Sequence, residues 1–91
     1  MKGRALFAWN LRRIRIERGI SQERLAADAG VDRAYISELE RKKGNATLDF
    51  VDKVAGCLEV PVMEFFREPE PGAKKPRSMA GGRPRSRSRR S

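Results

Sequence analysis

Residues 22–39 (QERLAADAGVDRAYISEL) carry the side chains with the clearest capacity for chemistry in this chain. One row combines a guanidinium, a methyl group, a phenol, a hydroxyl and a carboxylate: Arg33, Ala34, Tyr35, Ser37 and Glu38. These groups donate and accept hydrogen bonds, but the chain has no histidine to activate a nucleophile or move a proton. The row therefore predicts binding through hydrogen bonds and charge.

The apolar residues around this row predict two short helices joined by one tight turn. Gly30 lies at the turn, where a positive φ costs little because there is no Cβ atom. The apolar stripe runs along both helices and consists of Leu25, Ala26, Ala29, Val31, Ile36 and Leu39. With this stripe buried, the row faces outward on the second helix, which then has the right shape to enter a DNA major groove.

Capping residues and apolar spacing predict three further helices. The first runs from about 4 to 18 and stops at Gly19, with Phe7, Leu11 and Ile14 facing the core. The N-caps expected for the second, third and fourth helices are Ser21, Asp32 and Thr47. The fourth helix has an apolar stripe of Leu48, Val51, Val54, Ala55 and Leu58.

Pro61 ends the fourth helix and suits the start of a short fifth helix over 62–66. At least one of Phe65 and Phe66 belongs in the core. No stretch alternates polar and apolar residues over the length of a strand, so the predicted fold is all-α with five helices.

The net charge of +9 is concentrated near the C-terminus. Residues 1–66 carry 12 Lys/Arg against 10 Asp/Glu, whereas residues 67–91 carry 9 against 2. The second segment is rich in Pro, Gly, Ser and Arg and has few residues to bury, so we expect a domain over 1–66 and a disordered basic tail over 67–91. Such a tail favours a polyanionic partner, with nucleic acid ahead of a membrane surface.

The composition argues against an enzyme, a metal site, a cofactor and a membrane protein. Without histidine or a cysteine cluster a zinc site is improbable, and no acidic pair has a spacing suited to acid–base catalysis. No apolar run is long enough to span a bilayer, and no signal-peptide segment is recognisable. Cys57 has no partner for an intramolecular disulfide, which fits a reducing cytoplasm.

Residues 11–66 resemble the Cro/Xre-type (lambda repressor-like) helix-turn-helix domain of phage repressors and small bacterial regulators. The matching segments are LRRIRIERGISQERLAADAGVDRAYISELE and LDFVDKVAGCLEVPVMEFF. The chain departs from that family where Lys42 stands for a frequent Gly and Ala46 for a frequent Pro. Gly44, two residues after Lys42, offers another place for the turn.

The resemblance implies a set of DNA contacts. Gln22 matches a residue that contacts a phosphate at a helix N-terminus, a natural anion site. Arg33 could donate two hydrogen bonds to guanine, worth about 1–3 kcal/mol of discrimination, while Ala34 could contact a thymine methyl group and Glu38 could accept from cytosine. Tyr35 and Ser37 are expected at backbone or sugar. The alternative is a solvated helix face on which Arg33 and Glu38 attract each other.

The loop after this helix carries Arg41, Lys42, Lys43 and Asn45, which either clamp phosphates or only improve solubility. The resemblance also implies a cross-helix pair between Arg15 and Glu40, whose role is architectural. Loss of one partner of such a pair costs about 3–5 kcal/mol.

Three residues of the fifth helix, Val62, Met63 and Phe66, lie where relatives often dimerise. Trp9 and Ile16 fall opposite the core stripe of the first helix if each residue turns about 100°. They form either a patch for a protein partner or a surface that the start of the tail covers, or they are isolated exposed apolar residues of the kind that many proteins carry.

The function implied is that of a sequence-specific transcriptional regulator in the bacterial cytoplasm, associated with the nucleoid. It would act as a homodimer on double-stranded DNA, at an inverted-repeat operator, and we expect repression because a small domain leaves little room for a ligand sensor. Alternatives are an antitoxin or a restriction–modification controller that autoregulates its operon. A further alternative is a protein-interaction module that binds through Trp9 and Ile16 and uses the tail for nucleic acid.

Overall fold

The helices occur where capping and apolar spacing place them. The computed structural model describes residues 2–70 and residue 72, and in these residues it contains α1 (Gly3–Glu17), α2 (Gln22–Ala29), α3 (Arg33–Glu40), α4 (Leu48–Leu58) and a 3₁₀ helix (Val62–Phe66). The described chain has no strand, so the all-α prediction is confirmed. The predicted disordered tail lies, apart from its first residues, outside the described residues.

Two of the three predicted N-caps use their side chains. Ser21 Oγ accepts from the backbone N–H of Arg24, and Thr47 Oγ1 accepts from that of Phe50, each at 3.0 Å. Asp32 occupies the predicted N-cap position of α3, but its side chain makes no capping hydrogen bond. The reason is that the N–H of Tyr35 bonds to the backbone carbonyl of Asp32 instead, at 3.0 Å.

All four α-helices end in the same backbone motif. A residue with positive φ follows each helix, and the next N–H bonds to a carbonyl five residues back, as in the Schellman motif. Two of these positions are glycines and two are not: Gly19, Gly30, Lys42 and Glu59. The short connections between the helices follow from these tight terminations.

The turn after α3 forms at Lys42 and not at Gly44. Lys42 has a φ of +64°, and the N–H of Lys43 reaches the Glu38 carbonyl at 2.8 Å. Gly44 has no positive φ; a Cβ atom there would lie 3.1 Å from Leu39 Cδ2. Gly44 is therefore required for close approach to the core, and Lys42 adopts the strained conformation itself.

The core lies between α1, α2, α3, α4 and the 3₁₀ helix. α2 packs against α3 and α4, and α1 packs against α3 and the 3₁₀ helix. The buried residues of the core are Phe7, Leu11, Ile14, Leu25, Ala26, Ala29, Ile36, Leu39, Val51, Val54, Ala55, Leu58 and Phe65. Of the two C-terminal phenylalanines, Phe65 is fully buried and Phe66 is partly exposed.

Leu48 is the exception among the predicted core residues. Its side chain is 78% exposed, so its assignment to the core stripe of α4 is wrong. Leu48 is the first residue of the helix and lies at the edge of the core. There it lines a groove of about 190 Å³ together with Gly3, Asn45 and Phe66.

A buried asparagine joins the two ends of the domain. Asn10 is 1% exposed, and its Nδ2 donates to the carbonyls of Phe65 at 3.0 Å and Arg67 at 2.8 Å. Its Oδ1 accepts from Arg13 Nε at 3.1 Å. Because the two carbonyls lie 55 and 57 residues away along the chain, no local sequence pattern indicated this role.

The predicted pair between Arg15 and Glu40 is confirmed. Arg15 Nε and Nη2 donate to the two carboxylate oxygens of Glu40 at 2.6 and 3.0 Å, a bidentate arrangement, and both side chains are buried. Arg15 Nη1 donates to the Ile20 carbonyl at 2.9 Å. One guanidinium therefore ties α1 to α3 and to the loop that precedes α2.

Lys42→Gly should stabilise the domain. Relief of the left-handed strain on a side chain outweighs the extra freedom of glycine in the unfolded chain, so we expect a gain of up to about 1 kcal/mol. Thermal unfolding should show a higher Tm, by a few degrees for a domain of this size. The matched control is Lys43→Gly, which removes the same charge at a residue of ordinary φ and should lower the Tm. Equal shifts in both variants would contradict the explanation.

Arg15→Met should lower the free energy of unfolding by about 3–5 kcal/mol, because it leaves the Glu40 carboxylate buried without its cation. Urea unfolding measures the loss. Adding Glu40→Leu should recover most of it, since a well-packed apolar pair replaces a buried ion pair at little cost. A double variant as unstable as the single one would show that packing, and not the uncompensated charge, causes the effect.

Candidate nucleic-acid interface

The α2–turn–α3 unit presents one polar face and buries the other. Ile36 is fully buried and Leu39 is 2% exposed, which fixes the rotation of α3 about its axis. The side chains of Arg33, Ala34 and Glu38 are consequently exposed. These are three of the residues that the sequence assigned to contact with bases, and they share one exposed face.

The other two residues of the predicted row are half-buried. Tyr35 packs edge-on against Phe50 with ring centroids 5.2 Å apart, and its hydroxyl donates to the Asn45 carbonyl at 2.8 Å. The backbone carbonyl of Ser37 accepts from Arg41 Nε at 3.4 Å. Tyr35 therefore anchors the loop after α3, a role that the sequence did not indicate.

Gln22, the first residue of α2, contacts two other polar side chains. Its Nε2 donates to Glu40 Oε1 at 3.1 Å, and its Oε1 accepts from Arg33 Nη1 at 3.4 Å. The predicted phosphate-contact residue and the predicted base-contact residue are thus adjacent. Both connect through Glu40 to the buried Arg15.

Arg4 joins the site from the other end of the chain. Its Nη2 donates to Asn45 Oδ1, across 41 positions of sequence. Arg4 is exposed near the N-terminus of α1, and sequence analysis did not assign it to the site. Only the packing of α1 beside the loop after α3 brings this cation there.

The charges on this face are mostly positive. Arg41, Lys42 and Lys43 are exposed immediately after α3, as is Asn45. The sequence left open that Arg33 and Glu38 only attract each other on a solvated helix face. Within the described chain no ion pair joins these two side chains. The cations of the loop can contact an anionic backbone. The exposed face of α3 can at the same time offer hydrogen-bond donors and acceptors to the groups that this backbone carries.

Three other predictions concern residues outside this face. Trp9 and Ile16 are half-buried, so neither presents a fully exposed apolar side chain. Cys57 is half-buried and packs against the core. Residues 2–70 and 72 hold no group of three potential metal ligands and no helix long and apolar enough to cross a membrane.

Two proteins are similar to this chain in sequence. A hypothetical transcription factor from Neisseria meningitidis serogroup B is 40% identical over 67 residues, which cover 74% of this chain and 63% of that protein. The control protein C.BamHI from Bacillus amyloliquefaciens is 40% identical over 58 residues, covering 63% of this chain and 72% of that protein. The chain thus spans less than two thirds of the Neisseria relative.

Solved structures agree with these matches. The crystal structure of the Neisseria transcription factor superposes with a TM-score of 0.71 at 38% identity, covering 77% of this chain and 80% of that one. The restriction–modification controller protein C.AhdI from Aeromonas hydrophila gives a TM-score of 0.66 at 36% identity, covering 69% and 96%. A family model described as helix-turn-helix matches residues 11–65, more than half of the chain. The chain therefore belongs to the helix-turn-helix family, of the Cro/Xre type.

Proposed function

We propose that this protein is a sequence-specific DNA-binding transcriptional regulator that inserts α3 into the major groove. The observation that carries the proposal is the exposed face of α3, held outward because Ile36 and Leu39 are buried beneath it. A helix in this position is the recognition element of helix-turn-helix proteins. Transcription factors and controllers among the relatives support the same class.

The residues divide into two groups by the chemistry they offer. Arg33 donates to guanine, Ala34 contacts a thymine methyl group and Glu38 accepts from cytosine. Phosphate contacts come from Gln22 at the α2 N-terminus and from the loop that follows α3. The loop contributes Arg41, Lys42, Lys43 and Asn45, and Arg4 beside Asn45 extends the group.

The protein acts as a homodimer on an inverted repeat, in the bacterial cytoplasm and at the nucleoid. Its 3₁₀ helix exposes apolar side chains that a second copy would cover: Val62 is 37% exposed, Met63 80% and Phe66 39%. Two copies related by a two-fold axis place their α3 helices in successive major grooves about 34 Å apart. Occupation of a promoter by such a dimer represses it.

A restriction–modification controller is the second candidate role. It is favoured because the helical domain matches 96% of the C.AhdI controller at 36% identity. A controller that autoregulates binds upstream of its own gene. The DNA sequence that the protein prefers can be identified by selection from a random pool. Its presence in the promoter of the protein's own gene would distinguish this role from regulation of distant genes.

Selection of bound duplexes from a random pool tests the function, and Arg33→Ala tests the contact. We expect a palindromic consensus occupied by two chains. Arg33→Ala should weaken binding to that consensus by about 1–3 kcal/mol and abolish the preference at one base pair of each half-site. The control is Lys53→Ala, which removes the same charge from an exposed residue of α4 outside the site. Unchanged preference in Arg33→Ala would refute direct recognition by α3.

Removal of residues 73–91 should reduce the salt dependence of binding and preserve the base preference. Eight Lys/Arg are lost, and the slope of log Kobs against log salt falls by about 0.9 for each phosphate contact they made. A length-matched variant with these eight residues replaced by Gln should behave like the truncated chain. Loss of base preference in either variant would shift recognition to the tail.

A further inference from the structure

Glu40 contacts more than its buried ion-pair partner. The carboxylate accepts two hydrogen bonds from Arg15, and its Oε1 accepts a third from Gln22 Nε2 at 3.1 Å. Glu40 is 3% exposed, whereas Gln22 is half-buried and Arg33 is exposed. A continuous path of hydrogen bonds therefore leads from the core to the exposed face of α3.

The chemistry of each group fixes the direction of this path. A carboxylate only accepts and a guanidinium only donates, whereas an amide does one at each end. Facing Glu40, Gln22 must present its nitrogen, so its oxygen remains for Arg33 Nη1 at 3.4 Å. This contact is long and exposed, so it biases the direction of the Arg33 guanidinium without locking it.

We propose that Glu40 is a positioning residue for DNA recognition: it sets the orientation of the Gln22 amide and through it the direction of Arg33. The proposal rests on the proposed function, because its benefit is a guanidinium aligned before DNA arrives. One carboxylate thereby serves the fold through Arg15 and the interface through Gln22.

The path also explains which residue type belongs at position 22. Glutamate there would repel Glu40, and lysine or arginine would repel Arg33. An aliphatic residue would leave both without a partner in the path. Glu40→Gln has a related effect, because Glu40 Oε1 accepts from both Arg15 Nη2 and Gln22 Nε2. The neutral amide either sets its nitrogen against these two donors or offers Gln22 a weaker, uncharged acceptor.

The first experiment uses the full chain without DNA. Nuclear magnetic resonance relaxation of the Arg33 Nε–H group measures its order parameter in Glu40→Gln, in Gln22→Leu and in the control Glu17→Gln. The control removes a carboxylate from its guanidinium partner Arg13 on the exposed side of α1 and leaves the contacts of Glu40 in place. We expect the order parameter to fall in the first two variants and to stay constant in the control. An unchanged value in Glu40→Gln overturns the proposal.

Should Glu40→Gln not fold, the double variant Arg15→Met with Glu40→Met replaces it, since that variant removes the carboxylate without leaving an unpaired charge. Its Arg33 order parameter is expected to fall as in Gln22→Leu. A value equal to that of the native chain overturns the proposal in the same way.

The second experiment uses the duplex recovered by selection and the same duplex with each base pair exchanged in turn. We expect Glu40→Gln to lower the preference at the Arg33 base pair about two- to tenfold, the scale of one hydrogen bond, and the control Glu17→Gln to leave it unchanged. Arg33→Ala should cost less in the Glu40→Gln background than in the native chain.

Equal costs of Arg33→Ala in the two backgrounds overturn the role of Glu40 in recognition. A native chain that prefers no duplex over random DNA overturns the proposed function and that role together. The order parameters, measured without DNA, then still decide whether Glu40 orients Arg33, so the two failures are distinguishable.

Discussion

The buried ion pair between Arg15 and Glu40 is the interaction on which the arrangement of this domain depends. It spans 25 positions of sequence and is bidentate, with the Arg15 side chain 6% and the Glu40 side chain 1% exposed. The third guanidinium contact, to the Ile20 carbonyl, holds the loop before α2. Because charges are costly to bury, this geometry is favourable only when all three segments meet correctly. The pair therefore specifies how α3 lies against α1.

Around this pair, two further polar side chains hold segments of the chain in place. Asn10 uses its amide to hold the end of the 3₁₀ helix, and Tyr35 holds the loop after α3. Residues 1–66 carry 12 cationic and 10 anionic side chains, so the domain is close to neutral. The positive character of the interface comes from the placement of exposed cations around α3 and its loop, and less from net charge.

Four identical helix terminations make so small a domain possible. Each tight turn redirects the chain within a few residues, which keeps the apolar stripes of successive helices in contact. At two of these turns a charged residue adopts the conformation that glycine adopts at the others. At Lys42 the same conformation directs Lys43 and the rest of the loop along the edge of the interface. The residue with the strained backbone, Lys42, is thus also part of the basic loop.

The sequence by itself determined the helices, most of the core and the exposure of Arg33, Ala34 and Glu38 on α3. Apolar spacing and capping are local properties, so they do not depend on how the helices pack. Leu48 and Asp32 show the limit of such patterns: the spacing does not tell where the core ends, and a backbone carbonyl can replace a capping side chain. Only the tertiary structure decided that Arg4 reaches Asn45, that Asn10 holds the C-terminal segment and that Glu40 meets Gln22. Those contacts join residues far apart in the chain, and their geometry exists only once the helices have packed.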